Sequence, residues 1–206
     1  MTRHGRLTVG VLALACTLTG VRALDAQEVQ EAPVTAELPV LLTSCGQSPG
    51  PARVKFFLNR LELEHQFLEQ ATAQDLIDRQ EAGTPVKAVI IVTGASLKGM
   101  GAAGVSIDDE LERTAALIAE AKRQGITLIG AHVEGMSRRA QGAEPGDNSD
   151  ELSIDAVCPE SDLMIVRQDG NEDRRFSIIS ENQDIPLILF EKNMELGDVL
   201  GRVFSK

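Results

Sequence analysis

The sequence predicts an α/β domain built as a doubly wound, mostly parallel sheet of five to six strands with helices on both faces. Three observations lead there. Apolar runs alternate with helical periods from about residue 38 almost to the end. The run Ala88-Val-Ile-Ile-Val-Thr93 is continuous and β-branched, with no polar alternation, so both of its faces must be covered. About 180 residues are enough to close a single core of this kind.

The elements follow in chain order. Leu38–Thr43 is the first strand, with Pro39 at its start. Pro51 to about Leu61 is a helix, with Val54, Phe57, Leu58 and Leu61 on one face. A short strand near His65–Leu68 precedes a polar helix over Ala73–Glu81. After strand Ala88–Thr93 comes a glycine-rich loop, Gly94–Gly104, then a helix over Ile107–Gln124. Ser106 and Asp109 are spaced as a capping box for that helix, and Gly125 ends it. Leu111, Ala115 and Ile118 share one of its faces, and Asp108, Asp109 and Glu110 read as first-turn carboxylates that complement the helix dipole. Strand Ile126–Ala131, a long polar loop to Asn148, a helix to Val157 and a stop at Pro159 come next. Strand Asp162–Val166, a helix near Glu172–Asn182, strand Pro186–Phe190 and a helix near Glu195–Phe204 complete the chain.

The first 26 residues read as an export signal. Arg3 and Arg6 precede a short apolar run, Leu7 to Ala15, which is too short to span a membrane. Cleavage after Ala23 or Ala26 fits, placing the mature N-terminus between Leu24 and Gln27; Ala13-Leu-Ala-Cys16 is a weak lipoprotein box. Residues 27–37 are acidic and patternless and read as a tether, and 38–206 as one domain. The expected product is periplasmic or secreted, with no membrane insertion after cleavage. Losing Arg3, Arg6, Arg22 and Asp25 leaves 17 basic and 30 acidic residues, a net charge of −13 against −11 for the whole chain. Such a chain is repelled by nucleic acid, which excludes that class of partner.

In a parallel α/β sheet, ligands bind outside the carboxyl ends of the strands, where strand order reverses. The first and third strands are the expected neighbours there. The loop after the first carries Ser44, Cys45, Gly46, Gln47 and Ser48 ahead of a helix, a donor array suited to an oxyanion. The loop after the third offers Gly94, Ser96, Lys98 and Gly99 as an anion cradle. Its spacing matches neither a Walker loop nor a dinucleotide fingerprint. His132 and Arg138 after the fourth strand extend the candidate site; Glu134, Arg139 and the Asp169–Asp173 turn read as structural, the last without the later ligands of a calcium loop. No metal site is predicted. Cys45 and Cys158 each stand beside a strand end, and their spacing leaves a bridge open.

Thr43-Ser-Cys-Gly-Gln-Ser48, the Gly94–Gly104 loop with Lys98, the Asp108-Asp-Glu110 helix start and the Arg167–Asp173 turn together resemble a bacterial family of exported α/β proteins known only as a domain of unknown function. The resemblance runs from about Leu38 to the C-terminus. It implies a single exported domain of flavodoxin-like or Rossmann-like build, a three-layer sandwich, and assigns no activity, ligand or cofactor. A flavin is disfavoured by the lack of any Trp or Tyr to stack on it. The leading expectation is a binder of a small anionic molecule that serves a transporter or sensor. A hydrolase or transferase using Ser48 or Cys45 with His132 as base is the alternative, and a partner-binding domain without a small ligand is the third.

Overall fold

Val40–Cys45 (β1) is buried at every position, because it lies inside a six-stranded sheet rather than at its edge. The computed structural model describes residue 1 and residues 35–140 and 148–204. Their elements are β1, α1 (Gly50–Arg60), β2 (His65–Phe67), α2 (Ala73–Glu81), β3 (Ala88–Thr93), α3 (Leu97–Ala103), α4 (Ile107–Gln124), β4 (Thr127–His132), α5 (Ser149–Val157), β5 (Leu163–Arg167), α6 (Arg175–Gln183), β6 (Leu187–Phe190) and α7 (Glu195–Val203). All belong to the unit Pro33–Lys206. Residues 2–26 of the predicted export signal and residues 27–34 of the predicted tether lie outside the described residues. Ala36, placed in that tether by sequence, is buried and donates its N–H to Val203 O at 2.8 Å.

The sheet is parallel throughout, in the order β2-β1-β3-β4-β5-β6. The predicted pairing of the first and third strands is present over its whole length, from Val40 opposite Ala88 to Cys45 opposite Thr93. Alternate strand residues feed the two faces of the sheet. Val40, Leu42, Ile90, Val92 and Ile165 pack under α1 and α7. Leu41, Val89, Ile91 and Leu128 pack under α2 and α4, and Met164 and Val166 under α5 and α6. This double cover explains the unbroken apolar run in β3, where each fully buried aliphatic side chain is worth about 1.5–3 kcal/mol.

Two local expectations are corrected. Gly94–Gly104 is not an open loop: after Gly94–Ser96 it forms α3, capped at one end by Ser96 Oγ accepting from Gly99 N and at the other by Gly104 in the left-handed conformation. The buried face of α4 is Glu110, Thr114, Leu117, Ile118 and Ala121, whereas Ala115 is exposed. The capping box of Ser106 with Asp109 forms as predicted.

Candidate functional site

The chain leaves β1 toward β2 on one side and, from β3 onward, builds the sheet on the other, so strand order reverses at the β1/β3 boundary. There the two candidate loops touch. Gly46 takes φ +98°, and a Cβ on it would lie 2.7 Å from Gly94 O and 2.8 Å from the Ala95 Cα, so only glycine fits. Ser96 N donates to Gly46 O at 2.7 Å. Over this junction opens a cleft of about 360 Å³ lined by Ser44, Gln47, Ser48, Pro49, Pro51 and Ala52 from the first loop and α1. Phe67, Glu69 and Gln70 close the β2 side, and Gly99, Ala102 and Ala103 of α3 the other.

The donors that sequence assigned to an anion are taken by the protein's own carboxylates. Glu110, fully buried on α4, accepts from Gly46 N at 2.8 Å and Gln47 Nε2 at 3.0 Å. Glu134, also buried, accepts from Gly50 N at 3.0 Å at the start of α1. Asp150 at the start of α5 accepts from Ala95 N at 2.7 Å, and Ser153 Oγ from Gly94 N at 2.9 Å. Burial holds the Asp150 carboxyl above its ordinary range, against the Ala95 N–H and the Arg138 charge that pull it down. Helix N-termini and turn N–H groups favour carboxylates for the same reason they favour ligand anions, so the chain has filled its own cradle.

Glu110 is balanced by Arg113, whose Nε and Nη2 donate to it at 3.1 and 2.9 Å. The same guanidinium donates to Ala71 O at 2.7 Å and Ser44 O at 2.6 Å, tying the β1 and β2 ends to α4. The side chains of Thr43 and Gln47 donate to Glu69 O at 3.2 Å each. The polar wall of the cleft is therefore held rigidly from beneath.

Other candidate residues fall elsewhere. Lys98 is exposed on α3, does not line the cleft and forms no hydrogen bond or ion pair among the described residues. Arg138 donates from Nη1 to Ala95 O at 2.8 Å and pairs with Glu134 at 3.5 Å, so it clamps the β3 turn. His132 is buried at the end of β4. Its Nε2 faces Gly135 O at 3.1 Å and must carry the proton, so Nδ1 accepts from Thr93 Oγ1 at 3.0 Å. Burial first of all lowers its pKa to about 4. Neither Ser48 nor Cys45 is its partner: Ser48 Oγ accepts from Gly50 N, and Cys45 lies in the α2/α4 core with its thiol pushed up to about 11 by burial. Both Cys45 and Cys158 are free and buried. No group of His, Cys, Asp and Glu that could hold a metal ion occurs among the described residues.

Sequence reasoning also missed a buried ionic network. Arg139, read as a solvated loop residue, is buried and donates to Glu151 at 2.7 Å and Asp173 at 2.6 Å, and also to Gly170 O. Arg175 Nε stands 3.0 Å from Glu151 Oε2, an ion contact without hydrogen-bond alignment. The only signal for it was a basic pair beside an acidic helix.

Residues 37–204 match the model of a family described as Domain of unknown function (DUF6305). The chain belongs to that family. No curated protein matches its sequence. Solved structures similar to this DUF6305 chain include a GDSL-like lipase from Bacteroides thetaiotaomicron, at 14% identity and TM-score 0.34, over 73% of this chain and 66% of that one. A psychrotrophic esterase, EstA, from Pseudoalteromonas sp. aligns at 11% identity and TM-score 0.35, over 79% and 93% of the two chains. A GDP-L-fucose synthetase from Naegleria fowleri aligns at 11% and 0.36, over 80% and 52%. Likenesses at this level say nothing about the chemistry of the DUF6305 cleft.

Proposed function

We propose that this DUF6305 domain is a small-molecule binder whose ligand sits in the cleft over the carboxyl ends of β1 and β2. The observation that carries this reading is the buried Glu110–Arg113 pair beneath the cleft, which fixes Ser44, Gln47 and the backbone of Glu69 at a strand-order reversal. A preorganised polar lining beside apolar Pro49, Pro51 and Phe67 is the usual make-up of such a site, and a volume near 360 Å³ suits a compact metabolite. The enzyme alternative gains no support from the geometry, because His132 is neutral, buried and bonded away from both nucleophile candidates. If the N-terminal segment directs export, the domain would act as a receptor that delivers its ligand to a transporter or sensor.

Native mass spectrometry of the purified full chain, followed by a thermal-shift screen of metabolites, tests the reading. Ala102 lines the cleft from an exposed position on α3, so Ala102→Trp fills the space without entering the core. A retained or stabilising ligand that Ala102→Trp abolishes supports the site. Ligands bound equally by wild type and variant, or no ligand at all, refute it.

A further inference from the structure

We infer that the cleft selects a molecule carrying a protonated amine on a small apolar frame, with the Glu69 carboxylate as its counter-charge. The inference rests on the reading of the cleft as a ligand site and adds the ligand's chemical class. It reverses the charge that the loop composition suggested.

Of the N–H donors on the loops around the cleft, Gly46 N and Gln47 Nε2 are held by Glu110, Gly50 N by Glu134 and Gly99 N by Ser96; the Gln70 amide and the Ser48 hydroxyl also line the cleft, and each can donate or accept, so they favour neither sign of charge. What distinguishes the lining is its charge. Glu69 is the one charged residue in the lining, and its carboxylate has no hydrogen-bond or ion-pair partner among the described residues, although its backbone carbonyl anchors Thr43 and Gln47. A ligand that brings N–H donors and a positive charge meets unspent acceptors; an anion would meet Glu69 with no cation in the lining to offset it. Phe67 and Pro51, also in the lining, are apolar and suit a hydrocarbon frame. Lys55 Nζ stands 5.3 Å from the centroid of the Phe67 ring, so the ring already has a cation and the ligand's charge is assigned to Glu69. Because Glu69 is exposed, the pairing contributes selectivity more than affinity.

Three matched probes isolate the charge: phenethylamine, 2-phenylethanol and phenylacetate, titrated at pH 7 and constant ionic strength into the 15N-labelled full chain. The amine is expected to shift the amides of Ser48, Gly99 and Ala102, with a dissociation constant about fivefold below that of the alcohol and with phenylacetate weakest. Glu69→Gln should erase the preference for the amine while the remaining amide positions superimpose on those of the wild type. A preference that survives Glu69→Gln overturns the inference, as does an alcohol or acid that binds at least as well as the amine. Silence of the cleft amides toward all three probes overturns it too. The site itself stands or falls separately, on whether any ligand found in the metabolite screen is lost in Ala102→Trp.

Discussion

Glu110→Gln is the sharpest perturbation of the assembly beneath the cleft. The carboxylate accepts four hydrogen bonds, from Gly46 N, Gln47 Nε2 and two guanidinium nitrogens of Arg113, at 2.8–3.1 Å. Glu110 is buried, its side chain 1% exposed, and Arg113 is largely buried at 11%. The neutral amide leaves the Arg113 charge buried and uncompensated and turns one acceptor into a donor facing donors. Breaking a buried pair in this way costs about 3–5 kcal/mol, at least about a fifth of the roughly 5–15 kcal/mol that holds an ordinary domain. With a urea slope of about 2 kcal/mol per molar, the unfolding midpoint should fall by roughly 2 M. Arg113→Met in the Glu110→Gln background removes the stranded charge and should recover part of the loss, although Ser44 O and Ala71 O then lack their donor. A loss below about 1 kcal/mol for Glu110→Gln, or no recovery in the double variant, would refute the claim that the pair holds the first loop.

Further outcomes follow from the same geometry. Gly99→Ala should destabilise the fold by about 2 kcal/mol, although alanine favours a helix by roughly 1 kcal/mol, because its Cβ would overlap the Gln47 carbonyl oxygen; a stabilised variant in thermal unfolding would show that α3 yields freely. Lys98→Ala should leave both thermal stability and phenethylamine affinity unchanged within a factor of two, since Lys98 is exposed and off the cleft. Cys45 and Cys158, both buried and with thiols held protonated by burial, should resist iodoacetamide in the native protein and react on unfolding, as peptide mass mapping would show. His132 is neutral when folded, with a pKa near 4 against 6.5 when free, so its contribution is complete above pH 6.5 and is lost as pH falls toward 4, by about 3 kcal/mol. Urea midpoints between pH 6.5 and 4.5 that decline equally in wild type and His132→Gln would refute this.

The sheet was legible because burial on both faces leaves a mark in composition. Ala88–Thr93 and Ile107–Gln124 have the bounds that their apolar run and caps predict. The adjacency of the first and third strands was also readable, since these carry the donor-rich loops that a strand-order reversal uses. α3 was not: Gly99 and Gly101 each lower helix propensity by about 1 kcal/mol relative to alanine, and the close approach of Gly99 to Gln47 depends on tertiary structure. The loops after β1 and β3 meet as expected, but the partners of their N–H donors were not legible. Glu110, Glu134 and Asp150 serve turns 55 to 84 residues away in sequence, and no local pattern records such distances. One clue was present, as Glu110 shares a helical stripe with Thr114, Leu117 and Ala121, all of which are buried.

The three carboxylates also connect the fold to its function. Each comes from an element that follows β3 in the chain: Glu110 from α4, Glu134 from the turn after β4, Asp150 from α5. The loops they hold come after β1 and β3. The cleft therefore takes its shape only once the chain beyond β4 has packed, and a fragment ending before Ser149 lacks the Asp150 contact that secures Ala95. Donors already satisfied by internal acids do not reorganise when a ligand arrives, so little ordering is charged against binding. The same arrangement removes these N–H groups from recognition, leaving selectivity to unspent groups such as the Glu69 carboxylate and to the shape of the apolar walls. A strongly acidic chain with an anion cradle in its sequence can thus present a cleft whose one charged residue is an acid.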